Sequence, residues 1–206
     1  MYSQLSTIVL KQECALLENL YVTKSKIRQD ILALFFINPS QKYYLRELQR
    51  ILGYSAGSIR RELLKFQKDN LFITERVGNL IYYSLNTKHP LFKEIKNIVS
   101  KTMGIEKILK KAFHPIKNID FAFIYGSFAA KRERPSSDID LMIIGNPDIY
   151  SLNEKIAEIE KKLRREFNLT IYSEDEYKDR KENNSVFIID LLKRPKIMII
   201  GNEDDL

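Results

Sequence analysis

The chain has 206 residues, 44% hydrophobic and 30% charged, which suits a globular protein with one large or two small cored domains. No apolar run approaches a membrane span and the N-terminus lacks the pattern of a secretory signal. A single cysteine, Cys14, excludes an internal disulfide, so a cytoplasmic protein with no membrane partner is expected. The net charge of +7 is uneven: residues 1–117 carry 20 Lys and Arg against 9 Asp and Glu, a net of +11, whereas residues 118–206 carry 14 against 18, a net of −4. A basic half joined to an acidic half predicts two domains with different partners, the basic one facing a polyanion.

Residues 1–20 place Leu5, Ile8, Val9, Leu16, Leu17 and Leu20 among few charges. They are expected to form an extra amphipathic helix, packed either across a homodimer or back on its own domain. From Ser25 to Asn38, Ile27, Ile31, Leu32, Leu34 and Phe35 recur at helical spacing, and Asn38-Pro39-Ser40 stops the helix. A second helix is predicted from about Leu45 to Leu52, ended by Gly53. Ser55 then offers an N-cap for a third, Ala56 to about Asn70, whose inward face is Ile59, Leu63 and Phe66.

The runs Leu71–Arg76 and Leu80–Leu85, separated by Val77-Gly78-Asn79, read as a hairpin. Three helices followed by a hairpin are the order of a winged helix-turn-helix. The third would be its recognition helix, with Ser55, Ser58, Arg60, Arg61 and Lys65 off the apolar face and free to reach double-stranded DNA. Arg76 and Asn79 fall at the wing. The plainer reading pairs Arg60 and Arg61 with Glu62 and Asp69 on a solvated helix. This domain, with the extra helix, is assigned residues 1–87.

A helical connector follows over residues 88–117, with Gly104 as a break and His89 as a turn residue beside Pro90. His89 and His114 lack the further His or Cys that a zinc site needs. The second domain spans residues 118–206. It opens with the apolar run Phe121–Tyr125, a Gly126-Ser127 turn, a short basic connection, and Asp138 and Asp140 leading into Leu141–Ile144. On a strand the two aspartates share one face, where they repel unless a cation sits between them. Such oxygen ligands suit Mg²⁺ (or Mn²⁺) together with substrate phosphates. Beyond them come a turn at Asn146-Pro147-Asp148, a charged helix from Leu152 to Leu163, a strand near Leu169–Ser173, an acidic helix start at Glu174, and a last strand at Lys196–Gly201. Val186–Leu192 fits helix and strand equally.

The spacing of Gly126, Ser127, Ala129, Ser137, Asp138, Asp140 and Leu141 resembles the signature of the DNA polymerase β-like nucleotidyltransferases, specifically the minimal nucleotidyltransferases. Lys131 departs from the small residue found there. Over nearly its whole length the chain resembles prokaryotic proteins that join a winged helix-turn-helix to such a domain. The implied fold is α+β, with a mixed sheet in the C-terminal domain. The implied site uses Asp138 and Asp140 as metal ligands and catalytic acids, with Gly126, Ser127, Lys131 and Ser137 binding an NTP, ATP foremost. Lys131, Arg132 and Arg134 would help neutralise its charge.

Family members complete the site with a third carboxylate on the neighbouring strand. Here that strand's polar face is Asn168, Thr170 and Tyr172, none an acid, and Glu174, Asp175 or Glu176 would have to substitute. Three functions stay open: a DNA-binding regulator that binds Mg-NTP; an active enzyme moving a nucleoside monophosphate to a protein, nucleic acid or small-molecule hydroxyl; and a non-catalytic antitoxin-like protein with a protein partner.

Overall fold

A computed structural model of the protein describes residues 25–130, 132 and 137–206. The helix expected over residues 1–20, and Lys131 and Arg134, lie outside the described residues. The chain divides into two compact units between Gly104 and Ile105. That division falls inside the stretch expected to be a connector.

In the first unit, α1 (Lys26–Ile37) is capped by Ser25, whose Oγ accepts the Arg28 N–H at 3.4 Å. Seven consecutive residues, Ile31 to Ile37, are buried, because the second half of this helix is apolar on all sides. A two-residue strand, β1 (Tyr43–Tyr44), leads into α2 (Leu45–Leu52). Gly53 ends α2 in the left-handed conformation at φ 73°, where only glycine escapes the Cβ penalty. The next helix, α3 (Ala56–Lys68), starts at Ser55, whose Oγ accepts from Ser58 N at 3.2 Å.

Strands β2 (Phe72–Val77) and β3 (Leu80–Leu85) pair antiparallel around the two-residue turn Gly78-Asn79, and β1 joins on the far side of β3. The last helix of the unit, α4 (Phe92–Met103), buries Ile95 and Val99 in the same core as Phe35, Leu48, Ile59, Leu63 and Phe72. Each such side chain contributes roughly 1.5–3 kcal/mol by leaving water. The Phe35 and Phe72 rings meet edge to face at 4.6 Å.

In the second unit the elements are α5 (Ile105–Phe113), β4 (Ile119–Ile124), α6 (Gly126–Ala129), β5 (Ile139–Gly145), α7 (Ile149–Leu163) and β6 (Phe167–Tyr172). They are followed by α8 (Glu174–Glu182), α9 (Val186–Lys193) and β7 (Ile197–Ile200). The sheet order is β6-β5-β4-β7. β5 runs parallel to β6 and antiparallel to β4, and β4 is antiparallel to β7, so the sheet is mixed.

β5 is central and its residues from Leu141 to Gly145 are all buried, which explains its unbroken apolar run. Met142 and Ile144 face a core with Phe123, Tyr177 of α8, and Ile188 and Leu191 of α9. Lys196, its side chain 1% exposed, stops α9: its Nζ donates to the Leu191, Leu192 and Arg194 carbonyls and pairs with Glu203. Among the described residues no helix is long and apolar enough to cross a membrane.

Candidate functional site

In the second unit, the end of β4, the start of β5 and the start of β6 converge. The Tyr125 N–H donates to the Asp140 carbonyl at 3.0 Å, which brings the Gly126 turn over the Asp140 side chain. Gly126 has φ +71°, and a Cβ added there would lie 2.2 Å from Asp140 Oδ2. The backbone and the carboxylate are therefore in a contact that only glycine permits. Ser127 follows in the single turn of α6.

Asp140 lies on β5 and is partly exposed, whereas Asp138 is exposed and just precedes the strand, outside its pairing. The expectation that both aspartates sit on the strand is thus corrected: the ladder begins at Ile139, paired with Phe167. Arg165, only 5% exposed, donates from Nη2 to the Ser137 carbonyl at 2.7 Å and fixes the segment that delivers Asp138. Nothing in the sequence marks Arg165 for this role, because it acts from a loop 28 positions away.

Opposite Asp140 in the parallel register is Asn168, whose Nδ2 donates to Asp140 Oδ1 at 3.1 Å. Two places along, Thr170 Oγ1 and the Tyr125 hydroxyl share a 3.1 Å hydrogen bond. Burial pushes the Tyr125 pKa up, and the Asp140 charge adds to that against the opposing effect of the Thr170 bond. Farther still, the Arg180 guanidinium lies over the Tyr172 ring, 4.6 Å from its centroid. Two acids of the following helix are engaged elsewhere. Glu176 closes a capping box with Ser173, and Glu174 pairs with Lys178.

Among the described residues no group of three or more His, Cys, Asp or Glu is placed to hold a metal ion. Asp138 and Asp140 alone match the way Mg²⁺ is usually held, by one or two carboxylates with phosphate oxygens supplying the rest. The donor set fits one ion with a bound polyphosphate.

In the first unit, Ser55, Arg60, Arg61 and Lys65 are exposed on α3, with Ser58 partly so, and Arg76 and Asn79 are exposed at the wing. Arg76 Nε donates to the Gly78 carbonyl at 3.1 Å and braces the wing turn. Glu62 does not pair with Arg60 or Arg61. Arg28 Nε of α1 reaches it at 2.8 Å and Lys65 Nζ at 3.0 Å, while Arg61 turns to Ser58 Oγ at 3.4 Å. Burial raises the Glu62 pKa, but the hydrogen bonds from Lys65 and Arg28 outweigh it and leave the carboxyl below its ordinary range. Arg28 therefore spends its charge inside the fold. Arg60 and Arg61 are exposed, as are Lys42, Arg46 and Arg50 of the same unit.

The second unit is a nucleotidyltransferase-fold domain. Residues 104–190 match the family model described as Polymerase beta, Nucleotidyltransferase. Among solved structures the chain is similar to reduced HlyU from Vibrio cholerae, at 18% identity over 48% of this chain and 92% of that one, with a TM-score of 0.36. It is also similar to a toxin-antitoxin structure with AMP-PNP, at 15% identity over 49% and 77%, TM-score 0.36. A Lactococcus lactis ZitR mutant in apo form gives 23% identity over 50% and 75%, TM-score 0.31. No curated protein matches the chain.

Proposed function

We propose that this chain is a DNA-binding regulator whose nucleotidyltransferase-fold domain binds a Mg²⁺-nucleotide, ATP foremost, as an effector rather than as a substrate. The observation that carries it is the pairing of Asp140 with Asn168. On the strand where the resembled family has a third carboxylate, this chain has Asn168, an amide that donates to one of the two acids, and Thr170, a hydroxyl. One divalent ion with a triphosphate is supported by Asp138 and Asp140, but a second ion to activate an attacking hydroxyl lacks its ligand.

In this reading Asp138 and Asp140 hold Mg²⁺ or Mn²⁺, which would neutralise phosphate charge. Gly126 lets the backbone approach the phosphates closely. Ser127, Lys131 and Ser137 supply further contacts to them. In the first unit Arg60 and Arg61 provide phosphate or base contacts on double-stranded DNA, helped by Ser55, Ser58 and Lys65, with Arg76 and Asn79 at the wing. A homodimer would present two such helices to a palindromic site.

The test is calorimetric titration of ATP with Mg²⁺ into the wild type and the Asp138→Ala/Asp140→Ala variant, alongside a transfer assay with labelled ATP and DNA binding with and without ATP. Metal-dependent binding lost in the variant, no label transfer, and a DNA affinity that changes with ATP are expected. Label transfer abolished by the double variant would make the chain an enzyme instead.

A further inference from the structure

The nucleotide site has an aromatic margin that no metal or phosphate role explains. Tyr125 adjoins Gly126 in the chain, so their Cα atoms are about 3.8 Å apart. Its ring is held at both ends, by its backbone N–H on Asp140 and by its hydroxyl on Thr170. Against that ring stands Phe187 of α9, 6.1 Å between centroids and 76° between planes. Phe187 is nevertheless 41% exposed, and its neighbours Val186 and Ile189 are 82% and 37% exposed. On an eight-residue helix, whose buried anchors are Ile188 and Leu191, this leaves an aromatic side chain in solvent beside the phosphate cradle.

We infer that Phe187, braced by Tyr125, is the stacking platform for the nucleobase of the bound nucleotide. The inference rests on the nucleotide reading above and extends it from the triphosphate to the base. A nucleotide is a polyanion joined to a flat aromatic ring. The Gly126 turn packed on Asp140 suits the first part, and the partly exposed Phe187 ring suits the second. A ring stacks on any base, so Phe187 gives affinity for nucleosides as a class. Tyr125 is already fixed by two hydrogen bonds, so the brace adds little ordering cost on binding.

The test compares two probes on the full chain: ATP with Mg²⁺, and inorganic tripolyphosphate with Mg²⁺, which has the phosphates but no base. The wild type should bind ATP more tightly than tripolyphosphate. Phe187→Ala should weaken ATP roughly tenfold and leave tripolyphosphate unchanged. Phe187→Tyr should restore ATP binding, and Asp140→Asn should weaken both probes. Equal affinity of the wild type for the two probes overturns the platform while leaving the metal-phosphate site standing. So does an unchanged ATP affinity in Phe187→Ala, or an equal loss for both probes. Binding of neither probe to the wild type removes the nucleotide reading and the platform with it.

Discussion

The Asn168 amide donates to Asp140 Oδ1 at 3.1 Å, and the two residues face each other directly across the parallel β5–β6 pairing. Asn168→Asp would replace this hydrogen bond by two adjacent carboxylates. Without metal the pair repels, and a loss on the order of 1 kcal/mol is expected. Thermal unfolding in EDTA should show the drop, and Mg²⁺ or Mn²⁺ should reverse it by more than they raise the wild type. Tighter Mn²⁺ binding is expected in the variant. No metal response in either protein would mean that Asp140 is not a ligand.

Gly126→Ala forces a methyl group to within 2.2 Å of Asp140 Oδ2 at a backbone φ of +71°. The left-handed conformation alone costs about 1–2 kcal/mol for a residue with a Cβ. Urea unfolding should register at least that loss, and Mg²⁺-ATP binding should fall with it. A variant of wild-type stability would show that the turn can relax without disturbing Asp140.

On α3, Arg60→Ala and Arg61→Ala should each weaken DNA binding. For a phosphate contact the slope of affinity against salt drops by about 1 and the loss is uniform across sequences; for a base contact it is confined to one position. Fluorescence anisotropy at several salt concentrations separates the two. Lys65 already pairs with Glu62, so Lys65→Ala should cost less than either arginine. The reverse ranking would reject the assignment.

The Tyr54 hydroxyl donates to Asp30 Oδ2 at 2.7 Å and ties the α2–α3 turn to α1. Burial, followed by the bond to Asp30 and its charge, pushes the Tyr54 pKa from 10.0 to about 12. A raised folded pKa means that its contribution is complete below pH 10 and is lost as the pH climbs towards 12. Tyr54→Phe should therefore flatten that part of the alkaline decline in chemical-denaturation midpoints. An unchanged alkaline profile would assign the decline to other groups.

Glu62 has the opposite sign. Its lowered pKa means that stability is held above the ordinary carboxylate range and lost as acid titrates the folded carboxyl. Its side chain is 13% exposed and its partner Arg28 11%, so Glu62→Ala takes a charge-assisted hydrogen bond from a mostly buried guanidinium, and a loss of about 1.5–3 kcal/mol is expected. Arg28→Met/Glu62→Leu should recover much of it. A double variant that loses the sum of the Arg28→Met and Glu62→Leu losses would show that the pair is not coupled.

The helices were legible in the sequence where local chemistry decides them. Ser55 caps α3 as expected, Gly53 ends α2, and the wing turn falls on Gly78-Asn79 within the expected Val77-Gly78-Asn79. The polar face of Asn168, Thr170 and Tyr172 was legible from strand alternation, but which of them stands opposite Asp140 was not, because register depends on the pairing of two strands. What escaped depends on partners distant in sequence. β1 is too short to show a period and exists through the pairing of Tyr43 with Tyr83. α9 reads ambiguously because Val186, Phe187 and Ile189 face solvent while Ile188 and Leu191 are buried, so no polar stripe marks its outside. Arg28 takes Glu62 from 34 positions away, which spacing along α3 cannot reveal.

Gly104 has a wider consequence. Its absent side chain lets α5 begin directly after α4, since a Cβ there would come within 2.2 Å of the Ser100 carbonyl. The helices on its two sides belong to different units. Any side chain at position 104 would therefore press on the last turn of α4, at the very place in the chain where one unit ends and the next begins.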